Sequence, residues 1–250
     1  MLRALHPAAF FASLIPIVLA LPVHAGDLVN VGAFSRVPDG ALPSEWKPLI
    51  FKKQKAATQT DYAMVRDDGV EVVRAESRAA GSGLERAVTV NLTEYPVLQW
   101  RWKVDHVVTG GDPRRKDRDD YAARVYVIFE YEPDKTNFSK RLTYGTARLL
   151  FGDVPFGAIS YIWGNQTQVE AVLDSPYLGD FIKLVVVENA SARVGQWVDE
   201  KRNVYEDYRR AFGAEPPLVE GVVLMTDTDN TGERATAFYG DLAFVKAQTR

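Results

Sequence analysis

Two adjacent aspartates, Asp119 and Asp120, stand just ahead of Arg124 and Tyr126. A second acidic group opens the run Asp227-Thr-Asp-Asn-Thr-Gly-Glu233. Carboxylates in separated groups can hydrolyse a glycosidic bond when folding sets them about 5–10 Å apart, and this needs neither histidine nor cysteine. Asp119 or Asp120 with Asp227 or Glu206 are the catalytic candidates for such a glycan hydrolase or lyase. Carboxylates gathered by a tight turn can instead hold a hard cation. Alternate aspartates followed by glycine resemble the start of a calcium loop, which makes Asp227 and Asp229 candidate ligands of a structural Ca2+. An EF-hand is excluded, because its closing glutamate position falls on Phe238. The plainer reading of this run is an Asx-rich hairpin turn joining two strands.

A second set of residues suits binding rather than cleavage. Leu98, Trp100, Trp102 and Val104 alternate with Gln99, Arg101 and Lys103, so the aromatics read as core and the charges as an outer face. Ala123, Val125, Val127 and Phe129 alternate in the same way with Arg124, Tyr126 and Glu130. If these two strands pair, Arg101, Lys103, Arg124 and Tyr126 line one surface. That surface is either a solvated face carrying weak ion pairs or the floor of an oligosaccharide groove. In the groove, the planar guanidinium groups would grip hydroxyls or a carboxylate and Asp120 would accept from hydroxyls. Tyr161 and Trp163 share one face near a strand end, where a ring can stack on sugar or pack in the core. Between the two strands, residues 110–120 carry eight charged side chains, a loop in which binding residues commonly sit. Arg114 to Arg118 read more simply as charges that pair with one another.

Other chemistries are ruled out by composition. The chain has no cysteine, so thiol catalysis and thiolate metal sites are impossible. Phosphate-binding Gly-Lys loops, dinucleotide glycine fingerprints, His-Glu-x-x-His and nucleophile elbows are all absent. Arg3 followed by the apolar stretch Ala8 to Leu21 and by Val23-His24-Ala25 has the form of a signal peptide over residues 1–25, cleaved between Ala25 and Gly26. The apolar stretch is too short to span a bilayer. Export to the periplasm or beyond is therefore expected, with no membrane span after cleavage. Removal of this segment takes away His6 and His24, so a Ser-His-Asp triad would have to use His106. It also removes one arginine and no acid, leaving a net charge of −4, which argues against nucleic acid as a partner.

The elements that must position these groups are mostly strands. Alternating or apolar runs predict strands over 70–76, 87–92, 98–105, 124–132, 158–164, 181–188, 218–227 and 237–245. Asn203-Val-Tyr-Glu206 has the form of a capping box. It opens a helix that Gly213 can end, and Ser139 to Phe151 reads as a weaker helix. No linker or repeat divides residues 26–250, so a single mainly β domain is expected. The pattern points to a jelly-roll-like β-sandwich with one or two short helices.

Several blocks together resemble one bacterial family. They are Pro96-Val-Leu-Gln-Trp-Arg-Trp-Lys-Val-Asp105, Asp119-Asp-Tyr-Ala-Ala-Arg-Val-Tyr-Val127, Tyr161-Ile-Trp-Gly164, Arg202-Asn-Val-Tyr-Glu-Asp-Tyr-Arg-Arg-Ala-Phe-Gly213 and Thr226-Asp-Thr-Asp-Asn-Thr-Gly232. In this order they resemble the domain of unknown function 3047, over about Phe34 to Phe244. Ser160 departs from the amide-bearing residue expected before the Tyr-x-Trp block. The resemblance implies an exported sandwich of the sugar-binding-domain type. It points to Asp119, Asp120, Arg124, Trp163, Arg202, Asp207, Asp227 and Asp229, and supplies no activity. The functional expectation is a carbohydrate- or cell-envelope-glycan-binding protein. The carboxylate-dependent hydrolase or lyase is the alternative, and an envelope structural or assembly factor without a small ligand is the third reading.

Overall fold

The computed structural model describes residues 26–51, 58–135, 141, 143–145, 155–165, 167–179, 181–189 and 192–247. Residues 1–25, expected to be a signal peptide, lie outside them. So does most of the helix expected over 139–151, of which residues 141 and 143–145 are helical. Among the described residues there are thirteen strands. They are β1 (Leu28–Gly32), β2 (Trp46–Leu49), β3 (Asp61–Asp67), β4 (Val70–Arg78), β5 (Gly81–Val90), β6 (Val97–Val104), β7 (Arg124–Phe129), β8 (Gly157–Gly164), β9 (Val172–Asp174), β10 (Ile182–Asn189), β11 (Val198–Asn203), β12 (Val219–Asp227) and β13 (Arg234–Val245).

The strands form two sheets packed as a sandwich. The first runs β11-β6-β13-β4-β3, with β1 also paired to β13; the second runs β2-β5-β12-β7-β8-β10-β9. Alternation explains the layering. Leu98, Trp100, Trp102 and Val104 turn inward from the first sheet, and Val125, Val127, Phe129, Tyr161 and Trp163 from the second, all buried in one core. Aromatic rings bridge the layers: Trp100 lies 5.3 Å from Tyr161 and Trp102 lies 5.7 Å from Trp163. One pairing departs from the antiparallel ladders of a jelly roll. β10 runs parallel to β8, and β9 lies antiparallel on its far side.

The helix α1 (Val204–Phe212) forms where its capping signal predicts. Asn203 Oδ1 accepts the Glu206 amide at 3.1 Å, and Gly213 closes the helix at φ 68° with its N–H on the Arg209 carbonyl. The helix is bolted to the sandwich by Asp207. This buried carboxylate accepts the Tyr161 hydroxyl at 3.0 Å, two Arg202 hydrogen bonds at 3.0 and 2.9 Å, and one from Arg210 at 3.0 Å. Arg202 in turn holds Glu170 through Nη1 at 2.5 Å and Nη2 at 3.1 Å. Asp207→Ala would strand the buried Tyr161 hydroxyl and leave Arg202 with Glu170 alone. It is expected to destabilise the protein by about 2–4 kcal/mol, read as a lower denaturant midpoint.

Candidate functional site

The chain reaches its most polar buried region where β12 ends and β7 begins, with Met225 opposite Arg124. Arg124 is 2 % exposed and faces away from the main core. Its Nε donates to Asp227 Oδ1 at 2.9 Å and its Nη2 to Asp227 Oδ2, a bidentate grip. Nη2 also donates to the Asp119 carbonyl, Nη1 donates to the Tyr126 hydroxyl at 3.0 Å, and Asp119 Oδ2 lies 3.6 Å from Nη1. The Tyr121 ring covers the guanidinium at 4.2 Å. From the opposite sheet, the Tyr239 hydroxyl reaches across to accept the Arg124 amide at 3.3 Å and donate to the Met225 carbonyl at 2.7 Å.

The neighbouring turn is built around Asp120. Its Oδ1 accepts the Asn230 amide and side chain at 3.3 and 3.0 Å, and its Oδ2 accepts the Thr231 amide at 2.6 Å. The turn over 227–233 joins two strands as expected, but those strands lie in opposite sheets, so it is not a hairpin. Glycine makes room for it: a Cβ on Gly81 would lie 2.5 Å from Asp229 Oδ1, and one on Gly111 would lie 2.5 Å from the Asp120 carbonyl. Arg115 pairs with Asp117 at 2.6 Å, so part of the charged loop does satisfy itself. Tyr177, on the segment after β9, donates to the Lys116 carbonyl at 2.8 Å and lies 2.8 Å from Asn230 Oδ1, tying that segment over the loop and turn.

Burial pushes both Asp119 and Asp227 above the usual carboxylate range, and Arg124 works against that for each. Asp227 has both oxygens on a guanidinium that cannot release its proton, so it is the ionised partner. Arg124 itself is held well above its ordinary value: burial opposes its charge, and Asp227 more than compensates. Burial, then Asp120, raises Asp229.

Near Arg124, three buried atoms fall short of good hydrogen-bond geometry: Asp119 Oδ1 and Tyr121 Oη, whose side chains interact with each other, and Ser160 Oγ, whose side chain interacts with Tyr126. Ser160 is the cross-strand neighbour of Tyr126, which receives Arg124. Buried polar groups are nearly always well paired, so poorly paired ones mark a place that a water, an ion or a ligand hydroxyl would complete. A second, smaller buried apolar cluster adjoins them on the outer face of the second sheet, made of Tyr121, Ile162, Leu184 and Val186. Asp120, Asp227 and Asp229 each offer an oxygen within 4.8 Å of the others and are the residues that could hold a hard cation.

Asp119, Asp120, Arg124, Tyr126, Asp227 and Asp229 are thus brought together, and the other candidates are not. β6 and β7 lie in different sheets, so Arg101 and Lys103 share no surface with Arg124 and Tyr126. Lys103 bonds Asp67 at 2.5 Å, and Arg101 lies over Trp197 at 4.5 Å. Tyr161 and Trp163 are fully enclosed between the sheets and present no ring to a ligand. Arg202 and Asp207 fasten α1. Glu206 lies at the other end of the sandwich: Asn203 pairs with Val97 at the start of β6, whereas Asp227 leads into β13, whose Ala237 pairs with Val104 at the end of β6. His106 meets the Arg234 carbonyl at 2.5 Å on the surface. Tyr121, Ser160, Tyr177 and Tyr239 escaped sequence reasoning. The only signal among them was the unexpected Ser160.

A family model for a protein of unknown function matches residues 44–243 and so spans every residue of this site. The chain belongs to the DUF3047 family. No curated protein matches this DUF3047 chain.

Proposed function

We propose that this DUF3047 protein is an exported, periplasmic or secreted binding protein for a carbohydrate or cell-envelope glycan, and that the Arg124 centre is its ligand site. The observation that supports the reading is the gathering of buried polar groups around one guanidinium, Asp119, Tyr121, Tyr126 and Ser160 among them, with several of their hydrogen bonds poorly formed. A sugar offers hydroxyls that both donate and accept, and these polar groups match them. Binding is favoured over hydrolysis. Asp119 and Asp227 close on one guanidinium instead of flanking a cleft, and Glu206 lies at the other end of the sandwich. Asp120, Asp227 and Asp229 supply only part of the roughly six to eight oxygens calcium takes, so a bound ion would rely on backbone carbonyls and water as well.

The test uses Ser160→Ala and Tyr121→Phe in the protein lacking residues 1–25. Each change deletes a hydroxyl whose own hydrogen bond is poorly formed, so thermal stability should change by no more than about 1 kcal/mol. Affinity in a calorimetric glycan panel should fall about 3–10-fold per variant. Calcium is included as a separate arm, where a rise in Tm lost in Asp229→Asn would mark a structural ion. Unchanged affinity in both hydroxyl variants would move the ligand elsewhere. Release of new reducing ends from a bound glycan would turn the reading to hydrolysis. Binding of no glycan at all would leave the assembly-factor reading in its place.

A further inference from the structure

Where the edge strand β11 faces β10, two carboxyl groups meet: Glu200 bonds Trp102, Glu188 pairs in register with Trp163, and those two rings pack at 5.7 Å. Glu200 projects inward from β11, the edge strand of the first sheet, and Glu188 comes from β10 of the second. Glu200 Oε1 accepts Trp102 Nε1 from the core at 3.2 Å. The charged groups that face Glu200 are Glu188, Arg193 from the turn between β10 and β11, and Arg202 on its own strand. Both arginines are engaged elsewhere. Arg193 donates to Glu188 Oε1 at 3.0 Å, and Arg202 is shared between Asp207 and Glu170. Glu200 is therefore partly desolvated, opposed by a second carboxyl, and without a cation of its own. Two like charges so placed do not both ionise readily, whereas one proton between them makes a charge-assisted hydrogen bond.

We propose that Glu188 and Glu200 share a proton that latches the edge strand β11 to β10 of the facing sheet, and that losing this proton loosens the edge. Among the described residues β11 is hydrogen-bonded on one side only, to β6, and it leads directly into α1. The loosened unit is thus the stretch from the 192–197 turn through β11. Burial, then Glu188, pushes Glu200 up to about 7, and burial raises Glu188 as well. A carboxyl raised in the folded state contributes stability that is complete below its ordinary value of 4.5 and is lost as pH climbs through about 7. The latch is closed in mild acid and open in mild base.

Hydrogen exchange on the intact protein between roughly pH 5.5 and 8.5, corrected for intrinsic rates, reads this directly. Protection of the β11 amides should fall about tenfold across a step near neutrality, while the central β12 amides stay level. Glu200→Gln and Glu188→Gln each leave a neutral amide that can donate to the remaining carboxylate, so either should abolish the step. A flat wild-type profile, or a step that survives in either variant, would overturn the latch. The wild-type profile alone decides if a variant fails to fold.

Discussion

Replacing Arg124 with methionine is expected to destabilise the protein by about 3–5 kcal/mol, seen as a drop in Tm of roughly 10 °C or more. The side chain is enclosed, and its guanidinium balances Asp227, the nearby Asp119 and the Asp119 carbonyl. Removing it leaves Asp227 buried and charged with only the Tyr121 amide, at 3.2 Å, among its hydrogen-bond donors. The same loss uncovers the Tyr121 ring and takes a donor away from the Tyr126 hydroxyl. Lysine does not substitute, because a point ammonium cannot reproduce the fork that spans Asp227, Asp119 and Tyr126 at once. Adding Asp227→Leu to Arg124→Met should recover much of the lost stability, since the cost lies in the uncompensated charge and not in the missing ion pair. Failure of the double variant to improve on the single one would mean that Arg124 acts through packing instead.

Trp163→Ala is expected to cost about 3–5 kcal/mol, measured as the shift in denaturant midpoint at constant slope. Trp163 is 1 % exposed and packs its ring 5.7 Å from Trp102 in the facing sheet. Its removal opens a cavity in a layer whose neighbours, Trp100 and Tyr161, are already in contact at 5.3 Å and have little freedom to collapse inward. This result bears directly on function. A tryptophan that stacks on sugar would lose affinity at little cost in stability. This one should lose stability, and any effect on binding should follow from unfolding.

The strands with a clean period of two were legible because alternation records which face is buried. β6 and β7 show it best, and their inward residues lie where the pattern put them. Helix α1 was legible because its caps are local, Asn203 at one end and Gly213 at the other. β1, β2, β3, β9 and β11 were not. β11 reads Val-Asp-Glu-Lys-Arg-Asn, and its polarity hides an edge strand whose inward side chains, Glu200 and Arg202, are charged. The jelly-roll expectation came from strand number alone. Number does not report that β10 would run parallel to β8.

By itself, the sequence determined the two-sheet class, the inward aromatic faces, the capped helix and the family, because each rests on neighbours within a few residues or on blocks in a fixed order. It also singled out Asp119, Asp120, Arg124 and Asp227 by type. Only the tertiary structure decided which of these meet. Strand pairing is set by contacts far apart in the chain, and it put β6 and β7 in opposite sheets, separating Arg101 and Lys103 from Arg124. Burial, too, is a property of the assembled layers. It turned Trp163 from a sugar platform into core and enclosed Asp119, Tyr121 and Ser160 around Arg124, which no local pattern could reveal.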